Sequence, residues 1–113
     1  MEIEVRIQGT DLADAVRTYA TRRIRFALAR FASHVGRIVV RMSDINGMRG
    51  GVDQCCHISA ELLPSRKVVL DQVDVDLFSA IDRASERVGQ AFRREIQRTR
   101  QARTRRESVR TLF

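Results

Sequence analysis

Alternation of apolar and polar residues predicts four β-strands in this chain. Ile3, Val5 and Ile7 alternate with charged neighbours over residues 2–8, a pattern typical of a strand with one buried face. The same period of two recurs over residues 37–43, 54–63 and 67–73. From the second and third strands, the side chains predicted to face inward are Ile38, Val40, Met42, Cys56, Ile58, Ala60 and Leu62.

The fourth strand has apolar residues on both of its faces, so its orientation stays open. The two competing sets are Val68 with Leu70, and Val69 with Val73. Between the second and third strands, residues 44–53 contain an Asn-Gly and a Gly-Gly pair, which indicates a loop.

Two segments have the three-to-four-residue spacing of amphipathic helices. The first covers residues 12–31, with Thr10 and Asp11 as candidate N-caps, and its apolar positions are Leu12, Val16, Tyr19, Ala20, Ile24, Ala27 and Phe31. The second begins near Asp76, a favourable N-cap, and its apolar positions are Leu77, Ile81, Ala84, Val88, Ala91, Phe92 and Ile96. Gly89 is expected to weaken this second helix by about 1 kcal/mol relative to alanine.

The predicted order is therefore β-α-β-β-β-α in a single domain, since 113 residues leave little room for a second core. Regular alternation in the strands implies that one face of the sheet is solvated, so both helices should cover the other face. We expect an α+β two-layer sandwich over residues 1–98. After Ile96 the next large apolar residue is Val109, so residues 99–113 are predicted to form a basic, flexible C-terminal tail.

The positive charge is concentrated at one end of the chain. Residues 1–82 contain eleven basic and eleven acidic residues, whereas residues 83–113 contain ten arginines and three glutamates, which accounts for the whole net charge of +7. Blocks of like charge on this scale typically contact nucleic acid or another polyanion.

Four arginines of the second helix fall within about 60° of one another around its axis. We call this set the α2 arginine row: Arg83, Arg87, Arg94 and Arg98. The opposite flank holds Asp82 and Glu86 with Arg93, so acidic and basic residues are predicted to be segregated. Such a row favours contact with nucleic acid, although a merely solvated face is the alternative.

The first helix is expected to add three arginines to this surface. Arg22 and Arg25 lie away from its apolar positions, and Arg23 lies at their edge. If the two helices pack side by side, these arginines and the α2 arginine row share one basic surface with a groove between the helices. Arginine suits such a surface because its planar guanidinium group binds phosphate oxygens bidentately.

Few residues suggest catalysis or metal binding. Cys55, Cys56 and His57 are adjacent on a strand and cannot converge on one ion, so no metal and no cofactor are predicted. His57 with Ser59 or Glu61 is the one catalytic alternative, and these residue types are common on a solvated sheet face. We predict no enzyme and no small-molecule substrate.

No segment has the roughly 18 apolar residues needed to span a membrane. The acidic, alternating N-terminus is also unlike an export signal, and we expect a cytoplasmic protein without membrane contact.

The stretch Asp76-Leu-Phe-Ser-Ala-Ile-Asp82 resembles the second-helix signature of ribosome hibernation promoting factors. These are the ribosome-associated inhibitors that are also called sigma-54 modulation proteins. The segment from Thr10 to Ile24, with Tyr19 and the Arg22-Arg23 pair, is similar to the same family's first helix. The resemblance extends over about residues 1–98 and corresponds to the short form of the family.

This resemblance implies a fold like that of double-stranded-RNA-binding domains, and binding to rRNA of the small ribosomal subunit. There the family occupies the channel used by mRNA and tRNA and blocks translation under stress. The basic positions that carry over are Arg22, Arg23, Arg87, Arg93 and Arg94. Departures from the family pattern are Gln90-Ala91 in place of Arg-Gln, Phe26 in place of Lys, and Phe78 in place of Tyr.

We therefore expect a ribosome-binding translation inhibitor that is monomeric when free. The alternatives are a general RNA-binding module and a protein-interaction regulator of the sigma-factor-modulating type.

Overall fold

The computed structural model describes residues 1–8, 12–44 and 53–112, with side chains as far as Arg105 and without that of Asp44. The candidate N-caps Thr10 and Asp11 and most of the predicted loop at 44–53 lie outside the described residues. The elements are β1 Glu2–Ile7, α1 Ala13–Leu28, a 3₁₀ helix Ala29–His34, β2 Val35–Asp44, β3 Gln54–Leu62, β4 Arg66–Asp74 and α2 Leu77–Leu112. Their order is the predicted β-α-β-β-β-α.

The four strands form one sheet in chain order. β1 is parallel to β2, whereas β2 with β3 and β3 with β4 are antiparallel. β1 and β4 are therefore the edge strands. Both helices pack on one face of the sheet, which confirms the predicted two-layer sandwich.

Every side chain predicted to face inward from β2 and β3 is buried, because period-two alternation places all of them on the face under the helices. In β1, Val5 is buried and Ile3 and Ile7 are half-buried against the same core. The orientation of β4 is resolved as well: Val68 and Leu70 pack against the core, and Val69 and Val73 are exposed.

α1 ends earlier than predicted. The backbone leaves the α-helical conformation at Leu28 (φ −106°) and again at Phe31 (φ −109°), and the intervening residues form the 3₁₀ helix. This turn brings the Phe31 ring to a centroid distance of 6.3 Å from Phe92 of α2. Leu12 precedes α1 and is 57% exposed, so it does not belong to the predicted core.

α2 begins as predicted, since Asp76 Oδ2 accepts a hydrogen bond of 2.9 Å from the backbone N–H of Ser79. Its buried side chains are Ala80, Ile81, Ala84, Ser85, Val88, Phe92 and Ile96, while the predicted core positions Leu77 and Ala91 are half-buried.

The backbone of α2 remains helical to Leu112, well past Ile96, and the described side chains of residues 97–105 are exposed. A helix of 36 residues is about 54 Å long, and it accounts for the longest dimension of the molecule, 65 × 24 × 18 Å. The domain boundary at residue 98 and the flexibility of residues 99–113 stay predictions.

Candidate nucleic-acid interface

The α2 arginine row faces the β4 edge of the sheet and not α1. Arg87 Nη1 donates to the backbone carbonyl of Asp71 at 2.7 Å and to Gln72 Oε1 at 3.0 Å, both in β4. Arg83 Nη1 lies 3.1 Å from Asp74 Oδ2, a carboxylate whose side chain is only 11% exposed. Two members of the row are therefore held by the strand beneath them.

The other half of the row has one paired and one unpaired cation. Arg98 Nη1 lies 3.2 Å from Glu95 Oε1, and the other oxygen of Glu95 accepts from Arg66 at 2.6 Å. Arg94 is exposed, with no ion pair among the described residues. The expected segregation of acidic and basic residues is thus wrong for Arg83 and Arg98, because their carboxylate partners come from β4 and from the inner side of α2.

Asp82 joins the two helices near the start of α2. Its Oδ1 accepts a hydrogen bond of 2.5 Å from the Tyr19 hydroxyl and lies 2.9 Å from Arg23 Nε, both in α1. The ring of Phe78 meets that of Tyr19 edge-on at 5.0 Å. The hydrogen bond to Asp82, and secondarily burial, raise the pKa of Tyr19 above its ordinary value. Arg23, predicted as part of the basic surface, is held by Asp82 in the contact between the helices.

Further along, α1 and α2 enclose a groove of about 590 Å³, which we call the α1–α2 groove. Its basic lining residues are Arg23, Arg30 and Arg93, and Glu86 is its acidic one. The helices approach closely here because residue 89 has no side chain: a Cβ at Gly89 would lie 3.2 Å from the carbonyl oxygen of Ala27.

The predicted shared basic surface needs correction. Arg22 and Arg25 are exposed on α1, but they are not among the residues that line the α1–α2 groove. The α2 arginine row lies on the far flank of α2, against β4. Of the predicted basic residues, only Arg23 and Arg93 line the groove, and the others lie elsewhere around the helical layer.

Several exposed arginines have no ion pair within the described part of the chain. Those on the helical side of the molecule are Arg22, Arg25, Arg30, Arg93, Arg94, Arg100, Arg103 and Arg105. Four of them belong to the predicted site. Arg30 was not among the predicted contacts although it lay within the predicted first helix, and Arg100, Arg103 and Arg105 were assigned to the tail.

The solvated face of the sheet has a different electrostatic character. Glu4 pairs with Arg6 at 3.1 Å and with Arg37 at 2.6 Å, and these two hydrogen bonds lower the pKa of Glu4. His57 Nδ1 lies 2.5 Å from Asp71 Oδ1 on the neighbouring strand. Arg41 and Lys67 are exposed without an ion pair among the described residues, but the charges of this face balance overall. The acidic residues are Glu2, Glu4, Glu61 and Asp71, and the basic residues are Arg6, Arg37, Arg41 and Lys67.

The cysteines do not form a reactive centre. Burial raises the pKa of the Cys56 thiol to about 12 and raises that of Cys55 as well, so both thiols stay protonated near neutral pH. His57 contacts Asp71 and not the Ser59 or Glu61 considered from the sequence. Among the described residues, no group of three or more His, Cys, Asp or Glu side chains is arranged to hold a metal ion.

Residues 3–100 match the model of the family described as sigma 54 modulation protein / S30EA ribosomal protein. The chain belongs to this family. A search of curated proteins found no match.

Solved structures similar to the chain include the following two. A ribosomal subunit interface protein from Coxiella burnetii superposes with a TM-score of 0.70 at 13% identity, covering 86% of this chain and 99% of that one. The N-terminal domain of Protein Y from Thermus thermophilus gives a TM-score of 0.65 at 26% identity, covering 83% of this chain and 98% of that one.

The five arginines that the family resemblance implies for RNA contact differ in whether their guanidinium groups already have partners within the protein. Arg22, Arg93 and Arg94 are exposed, with no ion pair among the described residues, whereas Arg23 and Arg87 make the contacts given above. Phe26, which replaces a lysine of the family pattern, is 78% exposed at the α1–α2 groove, and Gln90 lines the same groove. No helix within the described residues is long and apolar enough to cross a membrane.

Proposed function

We propose that this protein is a ribosome-associated translation inhibitor that binds rRNA of the small subunit in the channel of mRNA and tRNA. Its role is to keep ribosomes idle under stress, in the cytoplasm, as a monomer when free and without enzymatic activity. Family membership supports ribosome association, because the family and a solved relative are described as ribosomal or subunit-interface proteins.

One structural observation carries the proposal: the two faces of the molecule differ in charge. Eight exposed arginines on the helical side have no ion pair among the described residues, whereas on the solvated face of the sheet four acidic residues balance four basic ones. Unpaired guanidinium groups repel one another, and phosphate groups relieve that repulsion. The helical side is therefore the surface proposed to meet rRNA.

The mechanism is steric. A two-layer sandwich with a buried core holds α1 and α2 as one rigid unit, and the arginines fix it against the RNA backbone. While this unit fills the channel, translation ligands are excluded. Arg22, Arg25, Arg93 and Arg94 are the predicted contacts that are free for phosphate, and Arg23, Arg83, Arg87 and Arg98 serve in part by stabilising the surface.

Single charge removals on opposite faces test this assignment. Arg94→Gln and Arg93→Gln remove unpaired cations from the helical side, and Arg41→Gln removes one from the sheet face. In co-sedimentation with small subunits, the first two variants should bind several-fold more weakly, and each should reduce the salt dependence of binding by about one counterion. Arg41→Gln should bind like the parent protein.

Three results would contradict the proposal. Equal losses for Arg94→Gln and Arg41→Gln would mean that net charge alone drives binding. Recovery of an acidic protein partner after nuclease treatment, with no binding to small subunits, would instead favour a protein-interaction regulator. A general RNA-binding module would bind naked RNA duplexes as tightly as ribosomes.

A further inference from the structure

A pocket of about 510 Å³ lies where α2 projects past the end of the sheet. We call it the helix-end pocket. Its apolar walls come from the turn between β3 and β4, with Leu62, Leu63 and Pro64, and from Ile96 of α2. None of the eight arginines predicted from the sequence to bind nucleic acid lines it.

The position of the turn is fixed by a backbone contact. Leu63 N–H donates to the carbonyl oxygen of His34 at 2.7 Å, which joins the β3–β4 turn to the end of the 3₁₀ helix. His34 itself lines the pocket, and Leu63 is 43% exposed. An apolar surface is thus held open to solvent beside an imidazole ring.

The pocket lining also contains cations. Arg100 and Arg103 lie three residues apart on α2 and line the pocket, and neither has an ion pair among the described residues. Arg66 also lines it, but its guanidinium group is engaged with Glu95 at 2.6 Å. Two uncompensated cations therefore share the pocket lining with apolar side chains.

We propose that the helix-end pocket binds one unpaired nucleotide of RNA. The base packs against Leu63 and Pro64 beside the His34 ring, and the flanking phosphates bind Arg100 and Arg103. A nucleotide is the partner that combines a flat apolar face with an anionic group, and imidazole and guanidinium planes both stack on bases. The nucleotide is unpaired because the faces of a paired base are covered by its neighbours in the duplex.

This inference rests on the proposed function, because it assigns a second contact on the same RNA partner. It also adds a property that exposed arginines alone do not have. Exposed arginines alone bind phosphate in any RNA, whereas a pocket with an apolar floor distinguishes single-stranded from double-stranded RNA.

The test uses the full chain and four probes in a fluorescence anisotropy assay at fixed salt. The probes are a single-stranded RNA of about ten nucleotides, the same RNA with central abasic positions, a blunt RNA duplex, and AMP as a competitor. Leu63→Ser removes the apolar wall without changing charge. Arg103→Gln removes a pocket cation, and Arg105→Gln is its matched control on the same helix, outside the pocket lining.

Leu63→Ser should weaken binding of the single strand about fivefold or more, and should leave binding of the duplex and of the abasic strand unchanged. Arg103→Gln should lower the slope of log K against log salt for the single strand by about 0.7, and should reduce the preference for single strand over duplex. Arg105→Gln should keep that preference. AMP alone should not compete at the concentrations at which the strand binds, since it lacks the second phosphate contact.

Several outcomes overturn the inference. It is wrong if Leu63→Ser, folded by circular dichroism, binds all three RNAs like the parent, or if Arg103→Gln and Arg105→Gln have equal effects. It is also wrong if Leu63→Ser weakens only ribosome binding, which would assign the pocket to a protein segment, or if it disrupts a self-associated species. The proposed function fails separately, if the parent protein does not co-sediment with small subunits at all.

Discussion

At the scale of single residues, Asp82 shows how a charged side chain can serve the fold. Its carboxylate accepts from Tyr19 and pairs with Arg23, so one group of α2 is bound to two groups of α1. Arg23 and Asp82 are of opposite charge and far apart in sequence, and only packing of the helices side by side brings them together. A sequence-based assignment of Arg23 to RNA contact could not include this partner.

Tyr19 offers a direct measurement of that contact. It is the only tyrosine, and the chain has no tryptophan, so ultraviolet absorbance of the phenolate reports on this residue alone. The hydrogen bond to Asp82 raises its pKa, so the titration midpoint should lie above the ordinary value of about 10. In Asp82→Asn the midpoint should move back toward that value.

The sign of the accompanying stability change follows from linkage. A pKa that is higher in the folded protein than in the unfolded chain contributes stability that is fully present below the unfolded pKa, about 10. That contribution is lost as pH rises through the folded pKa. A parent midpoint at or below 10 would show that the Tyr19–Asp82 hydrogen bond is absent in solution.

Arginines of the α2 arginine row illustrate a second limit of reading one helix alone. Helical spacing correctly placed Arg83 and Arg87 on one flank, but their partners Asp74 and Asp71 belong to β4. Which flank faces β4 depends on the side-by-side order of the helices over the sheet. The spacing of residues along α2 does not determine that order.

Gly89 gives a comparable lesson. From the sequence it is a weak point of α2, because glycine is a poor helix former. In the structure it allows α2 to approach the Ala27 carbonyl, so the missing side chain has a packing role.

At the scale of elements, regular periodicity was enough to predict all four strands, both helices and the start of α2. It was insufficient where apolar residues occur on both faces, as in β4, or where a helix changes geometry without a polar interruption, as at Leu28. β4 is an edge strand, and Val69 and Val73 occupy its solvated face although they are apolar. Both failures concern tertiary packing and not local preference.

The start of α2 can be tested at Asp76. Its carboxylate accepts from the Ser79 N–H at 2.9 Å and from the Ser79 hydroxyl at 3.0 Å. Asp76→Ala leaves the backbone N–H without this acceptor and should lower the free energy of unfolding by about 1 kcal/mol. Urea denaturation of the parent and the variant measures the difference.

Asp76→Ser is the matched control, because serine is also a good N-cap and retains a side-chain acceptor. It should lose clearly less stability than Asp76→Ala. Identical denaturation midpoints for the two variants would mean that the cap does not contribute to the stability of α2.

At the scale of the whole molecule, the buried side chains of α2 and the arginines of its C-terminal segment occupy different parts of the helix. The buried residues of α2 end at Ile96, and the described side chains beyond it are exposed. Residues 97–105 thus add no buried side chain to the core, and residues 99–113 carry five arginines and one glutamate. α2 therefore has buried side chains as far as Ile96 and exposed arginines at positions 98, 100, 103 and 105.

Removal of residues 99–113 tests this separation together with the predicted boundary at residue 98. The shortened chain should unfold at nearly the temperature of the parent, because no fully buried side chain is lost among those described. Its affinity for small subunits should fall, and the slope of log K against log salt should decrease by about 0.7 to 0.9 for each lost phosphate contact.

A full-length variant with glutamine at positions 100, 103, 105, 106 and 110 is the matched control, since it keeps the length and removes the same arginines. If this segment contributes through its charge, the slope of log K against log salt should decrease by the same amount in the shortened chain and in the glutamine variant. A large drop in melting temperature for the shortened chain alone would show that residues 99–113 pack with the domain. Residue 98 would then not be the domain boundary. In that case the end of α2 would contribute to folding as well as to binding, because Thr99, Arg100 and Arg103 line the helix-end pocket.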